Sequence, residues 1–295
     1  MGAHGAYWVA VGIGAVLTVL ACVVARRSSA RVALVISRCL AVVLAATAVA
    51  FYLGPVVDGT FTVRNSLPLQ LCDVAAIIVV VTCWFPRWRL GFELTYFWGL
   101  AGTLQGVVTP DLGASFPHLE FFVFVVAHIG IVMAALYLAI GMRAAPRRFA
   151  PLWVFGITVG LAAVDAVADW KLGANYMYLA HIPPSASLLS VLGPWPVYIA
   201  SAAGVAVVLF AVLDAPFWLR RRIAGSGRNS SRVTVAAGAI ASPGVMASLE
   251  AAASSDVTGT PGVTAFPDVA ARPPGRTASP EDAPPRRPTP AGSDR

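Results

Sequence analysis

The chain reads as an all-α protein, a polytopic membrane bundle of about seven transmembrane helices with its N-terminus outside and its C-terminus cytoplasmic. Three observations predict this. Of its 295 residues, 58% are hydrophobic and 12% charged, with a mean hydropathy of +0.75, far from the roughly 25% charged content of soluble domains. Apolar runs recur at membrane-crossing length. Arginines cluster at alternate ends of those runs, so the formal net charge of +7 sets orientation in a membrane and calls for no nucleic acid.

About 20 helical residues cross the roughly 30 Å of hydrocarbon in a bilayer. On that measure the spans fall near 7–25, 33–53, 66–84, 92–109, 119–141, 151–168 and 191–213. Arg26, Arg27 and Arg31 follow the first, Arg87 and Arg89 the third, Arg143, Arg147 and Arg148 the fifth, and Arg220, Arg221 and Arg222 the seventh. The opposite connections carry only Arg64 and Lys171 beside Asp58, Asp111, Glu120 and Asp169. Every turn therefore agrees on which side is cytoplasmic.

No Lys or Arg precedes the first span and two arginines follow it at once, the charge order of an anchored helix rather than a cleaved signal. Residues 1–223 are thus expected to form the membrane domain. From 224 to 295 the composition turns to Ala, Gly, Ser, Thr and Pro. Such a segment buries too little apolar surface to offset its ordering entropy, which predicts a disordered cytoplasmic tail. No internal repeat marks the inverted halves of a secondary transporter.

Depth sorts the chemistry-bearing residues. Cys22, Cys39 and Cys83 lie near inner span ends and read as small buried apolar residues; no C-x-x-C pattern supports a disulfide framework or zinc ribbon. Cys72 alone stands in the outer half, roughly 9 Å below the boundary, and His128 lies roughly 14 Å below it on the fifth span. Gln70 and Asp73 flank the cysteine, Gln105 and Thr109 end the fourth span, and Asp165 stands near the outer end of the sixth. Ionisable groups within lipid spans usually face a bundle interior or cavity, so each is a candidate site residue. Asp73 points about 100° away from Cys72 on a helix and is a poor direct partner for its thiol.

A thiol and an imidazole at similar depth fit packing, metal ligation or catalysis. In the catalytic case the histidine takes the thiol proton and the thiolate attacks an acyl ester. Asn65, Gln105 or Asn175 near the interface would then stabilise the oxyanion. A metal would need Asp165 or His118 as further ligands, and no H-x-x-x-H spacing is present, so neither a metal nor another cofactor is expected. Tyrosine and tryptophan near span ends have an ordinary interfacial explanation, while Tyr176 and Trp195 also lie within patterned outer connections.

Those connections carry a likeness. Asn65-Ser66-Leu67-Pro68-Leu69-Gln70-Leu71-Cys72, Thr109-Pro110-Asp111, Phe116-Pro117, His128, Asn175-Tyr176-Met177-Tyr178 and Gly193-Pro194-Trp195-Pro196 resemble the bacterial YwaF-type integral membrane proteins over roughly residues 40–215. That family is similar to a eukaryotic transmembrane acyltransferase that moves polyunsaturated chains from phosphatidylcholine to lyso ether phospholipids through a cysteine. The resemblance implies that Cys72 carries the acyl group and His128 is its base. It transfers the acyl chemistry rather than the identity of the lipid.

Three functions therefore stand at this stage. A lipid acyltransferase or hydrolase would use Cys72 and His128 on membrane lipids, with Asn65, Gln70, Gln105, Thr109, Asp165, Asn175, Tyr176 and Trp195 expected around the substrate. A transporter would line a polar path with Asp165, His128 and Gln105. A non-catalytic scaffold would act through the Arg-rich inner loops and the tail.

Overall fold

A computed structural model describes residues 3–110, 116–183 and 188–240, with side chains from 5 to 224 within those ranges. No strand occurs among the described residues. The helices are α1 (Ala3–Arg27), α2 (Ala30–Val57), α3 (Leu71–Trp84), α4 (Arg89–Phe97), α5 (Leu104–Val108), α6 (Leu119–Leu136), α7 (Ala150–Leu172) and α8 (Val197–Ile240). A π-helical turn, Trp98–Thr103, joins α4 to α5 as one rod, and another, Tyr137–Gly141, extends α6. The chain divides into two compact units, Met1–Ser231 and Arg232–Arg295. Residues 224–240, expected to begin the disordered tail, continue α8 as helix; Asp111 and the rest of the expected tail, from 241 onward, lie outside the described residues.

Among the described residues, five helices are long and apolar enough to cross a membrane: Gly5–Arg27, Ala30–Val57, Leu119–Gly141, Ala150–Leu172 and Val197–Ala224. The chain is a multi-pass membrane protein. Leu71–Trp84 is apolar but shorter, about 21 Å at 1.5 Å per residue. The rod from Arg89 to Val108 is less apolar for a different reason. Phe92, Glu93, Leu94, Thr95, Tyr96, Phe97, Trp98 and Gly99 are all buried. A helix surrounded by protein on every side need not be uniformly apolar to sit at membrane depth.

Lipid is as apolar as leucine, so burial between helices gives little drive to associate, and cross-helix hydrogen bonds and close packing take over. Tyr7 Oη donates to the Val107 carbonyl at 2.7 Å, Ser37 Oγ to Cys83 at 2.7 Å and Tyr137 Oη to Ala33 at 2.7 Å. Trp98 Nε1 donates to Thr158 Oγ1 at 2.8 Å, tying the central rod to α7. Tyr96 Oη reaches the Leu213 carbonyl of α8 at 3.1 Å. At its Arg89 end the rod is latched by Glu93, 1% exposed, which accepts from Arg147 Nε at 2.9 Å, Nη2 at 2.7 Å and the backbone amide at 2.8 Å.

α7 shows how one helix divides between two environments. Ala150, Val154, Asp165 and Asp169 are its buried residues and recur on one face at the helical period. Nothing lies within 4 Å of where a side chain would start at Gly156 or Gly160, which stand on the opposite face. Asp165 is fully enclosed, at 0% exposure, because its phase on α7 follows Val154 and not the open glycine face.

Candidate functional site

The first turn of α3 and the π-helical turn before α5 set the Cys72 environment. Gly102 has no side chain, and a β-carbon there would stand 3.1 Å from Leu71 Cδ2, so this gap admits the start of α3 against the central rod. One residue further on each element, the Thr103 hydroxyl faces the Cys72 thiol. Thr103 is 1% exposed and its Oγ1 makes no well-formed hydrogen bond.

His128 approaches the same rod from α6. A methyl group at Gly106 would lie 3.0 Å from its Cδ2 and 3.4 Å from its Nε2. The ring stacks on Phe124 with centroids 4.0 Å apart, and Nδ1 lies 3.0 Å from the Phe124 carbonyl. A carbonyl only accepts, so Nδ1 carries the proton and the neutral ring keeps its lone pair on Nε2, the edge turned to Gly106. Thr103 and Gly106 are three apart and share a helix face. The thiol and the imidazole therefore abut one face of one rod about a turn apart. Among the described residues no hydrogen bond joins them.

Asp73 turns the other way, toward Tyr52 of α2. The Tyr52 hydroxyl is buried and makes no well-formed hydrogen bond. Beyond it lies a carboxylate pair on α7: Asp165, with both oxygens unpartnered, and Asp169, whose Oδ2 is unpartnered while Oδ1 accepts from the Tyr176 amide at 2.7 Å. Among the described residues neither carboxylate has an ion-pair partner; the ion pairs there are Arg147–Glu93 and Arg221–Asp214. No group of three His, Cys, Asp or Glu side chains arranged to hold a metal occurs among the described residues.

The connection after α7 stitches this layer to the entry of α3. Tyr176 is 1% exposed, donates to the Val63 carbonyl at 2.9 Å and accepts from the Leu67 amide at 3.0 Å. Burial holds its hydroxyl above the usual phenol range, the Leu67 amide opposes that, and the charges of Asp169, Asp73 and Asp165 add to it. It therefore stays a protonated donor. Gln70 Oε1 accepts from the Met177 amide at 2.9 Å, and the Tyr198 hydroxyl donates to the Tyr178 carbonyl. Met177 and Tyr178 hold φ of 51° and 56°, a left-handed conformation that these pins keep in place.

The remaining expected site residues scatter. Asn175 is tied into its own loop: Nδ2 donates to the His181 carbonyl at 2.9 Å and Oδ1 accepts from the Ala180 and His181 amides at 3.0 Å. These bonds use its carbonyl oxygen and one of its two amide N–H groups. Trp195 Nε1 donates to Leu179 at 3.0 Å, and the ring is 61% exposed. Thr109 returns its hydroxyl to the Gln105 carbonyl at 3.0 Å and ends α5. Gln105 itself is half-buried and Asn65 is exposed. Cys22 and Cys83 are buried as expected, whereas Cys39 is exposed on α2. Sequence reasoning passed over Thr103, Tyr52, Glu93 and Asp169 as site or core residues. Only Glu93 carried a signal, an ionisable group inside an apolar stretch.

Compared with known proteins, residues 2–214 match the model of the TMEM164 family. The matched segment contains the residues that bear the likeness described above and ends before the Arg220–Arg222 cluster. No curated protein and no solved structure matches the chain.

Proposed function

The chain belongs to the TMEM164 family, and from that premise we propose that it is a membrane lipid acyltransferase or lipid hydrolase, with Cys72 as nucleophile and His128 as base. The observation that carries the reading is the shared helix face at Thr103 and Gly106, with the His128 lone pair directed to it. In this reading the two remaining stretches, Leu71–Trp84 and the rod from Arg89 to Val108, complete a seven-span bundle. The Arg clusters put the N-terminus outside, and residues 224–295 extend into the cytoplasm from the cell membrane. The YwaF-type likeness supports the same assignment.

The chemistry follows from the parts. His128 Nε2 takes the thiol proton, and the thiolate adds to the carbonyl carbon of an acyl ester. The carbon–oxygen bond breaks, the leaving alkoxide takes the proton from His128, and the acyl group stays on Cys72 as a thioester. A hydroxyl of an acceptor lipid, or water, then gives its proton to His128 and attacks the thioester, releasing the thiolate. Gln105, Asn65 or Asn175 would support the oxyanion. Gln70 and Tyr176 pin the entry of α3, which carries Cys72, to the connection after α7.

Acyl-exchange labelling tests this directly. A hydroxylamine-labile acyl group should appear on the wild type and vanish in Cys72→Ser, with lipid profiles of the two strains diverging. An unlabelled Cys72 together with unchanged lipids would sink the enzyme. One observation favours a second reading, a transporter: Asp165 is fully buried with both oxygens unpartnered, as a group on a solute or proton path often is. Flux that survives Cys72→Ser and fails in Asp165→Asn would select it.

A further inference from the structure

A threonine inside a membrane helix ordinarily returns its hydroxyl to the carbonyl four residues back, and this bundle mostly obeys that habit. Thr18 bonds Gly14 at 2.7 Å, Thr82 bonds Ile78 at 2.7 Å, Thr47 bonds Val43 at 2.8 Å and Thr158 bonds Val154 at 2.8 Å. Thr103 does not. It is the last residue of the π-helical turn Trp98–Thr103, where the wider turn carries one extra residue and displaces the carbonyl ladder from its α-helical register. Its hydroxyl is left without a well-formed partner, 1% exposed, and faces the Cys72 thiol. Thr95, also unpartnered, lies about two turns away on the same rod.

We propose that Thr103 is the positioning residue of Cys72, a hydroxyl freed by the π-helical turn to donate to the sulfur as negative charge develops on it. This rests on reading Cys72 as the nucleophile. Close packing of Leu71 against Gly102 brings the first turn of α3 within reach. Gly106, three residues beyond Thr103, shares its face of the rod, so the thiol and the imidazole meet one surface. A sulfur anion in an apolar bundle has no water to solvate it, and a donor without competing partners supplies what water would. The hydroxyl acts only through Cys72 and needs no contact with the substrate.

The experiment follows Cys72 itself, in the full-length protein purified in detergent, by mass spectrometry of the Cys72 peptide after timed treatment with a small maleimide at pH 8. Thr103→Val, which keeps the shape and removes the hydroxyl, should slow alkylation about tenfold, the lower end of what one hydrogen bond to a charged group is worth. Thr103→Ser should restore the rate to within about twofold, as a restored hydroxyl requires. An unchanged rate in Thr103→Val overturns the proposal. So does equal slowing in Thr103→Ser, which assigns the effect to packing. If Thr103→Val does not fold, Thr103→Ala against Thr103→Ser makes the same comparison. Hydroxylamine-labile acylation is measured in parallel: its absence from the wild type with the alkylation pattern intact overturns the nucleophile reading, while its presence with a flat alkylation pattern overturns only the role of Thr103.

Discussion

Glu93 and Asp165 are both buried carboxylates in this bundle, 1% and 0% exposed, yet their surroundings are opposite. Glu93 receives the Arg147 guanidinium on both oxygens and the Arg147 amide as well. Asp165 receives nothing, and its neighbour one turn along α7 is another aspartate with an unpartnered oxygen. Burial is therefore a poor guide to role. An acid with a fitted cation is a structural latch, whereas an acid left without donors keeps its capacity for a ligand or a proton and raises the cost of the fold around it.

The largest effect should come from breaking the satisfied side. Glu93→Ala leaves the Arg147 amide and guanidinium without their acceptor and should cost about 2–3 kcal/mol in detergent unfolding, below the 3–5 kcal/mol of a fully buried pair because Arg147 is half exposed. A loss under about 0.5 kcal/mol would make Glu93 no latch at all.

Tyr176→Phe comes next. It removes the donor to Val63 and the acceptor of the Leu67 amide, for about 1–2 kcal/mol. Hydrogen exchange should then speed at Leu67 and spare the α4 end of the central rod; uniform speeding would mean that the two regions are not separable.

Asp165→Asn should show the smallest effect and the opposite sign. Removing an unpartnered carboxylate should leave the protein as stable or raise stability by up to about 1 kcal/mol. A loss as large as that of Glu93→Ala would end the contrast and imply a partner for Asp165.

Much of the architecture was legible because lipid demands long apolar runs, and arginines cluster at alternate ends of them. α1, α2, α6 and α7 follow from that rule to within a few residues, whereas the last span, expected at 191–213, lies at Val197–Ala224. The central rod follows less well. Its stretch was placed from hydropathy at 92–109, but what permits Glu93, Thr95 and Thr103 inside it is burial on all sides, which composition along a line does not encode. The candidate site was half legible. Cys72 and His128 stand out by residue type and depth, and the turning of Asp73 away from the thiol follows from helical geometry. The loop bonds of Asn175 were not legible, since the sequence does not show how a loop folds back on a side chain. Thr103 was invisible, because a threonine in an apolar run looks ordinary until its hydroxyl is found unpartnered.

By itself, then, the sequence determined the class of the protein and its long spans, because the bilayer is a one-dimensional constraint and the chain answers it along its length. The tertiary structure decided which buried acid is paired, that a π-helical turn frees Thr103, and that the thiol and the imidazole abut one rod. Those depend on rotation about helix axes and on gaps left by Gly102 and Gly106, quantities fixed only when helices pack against one another.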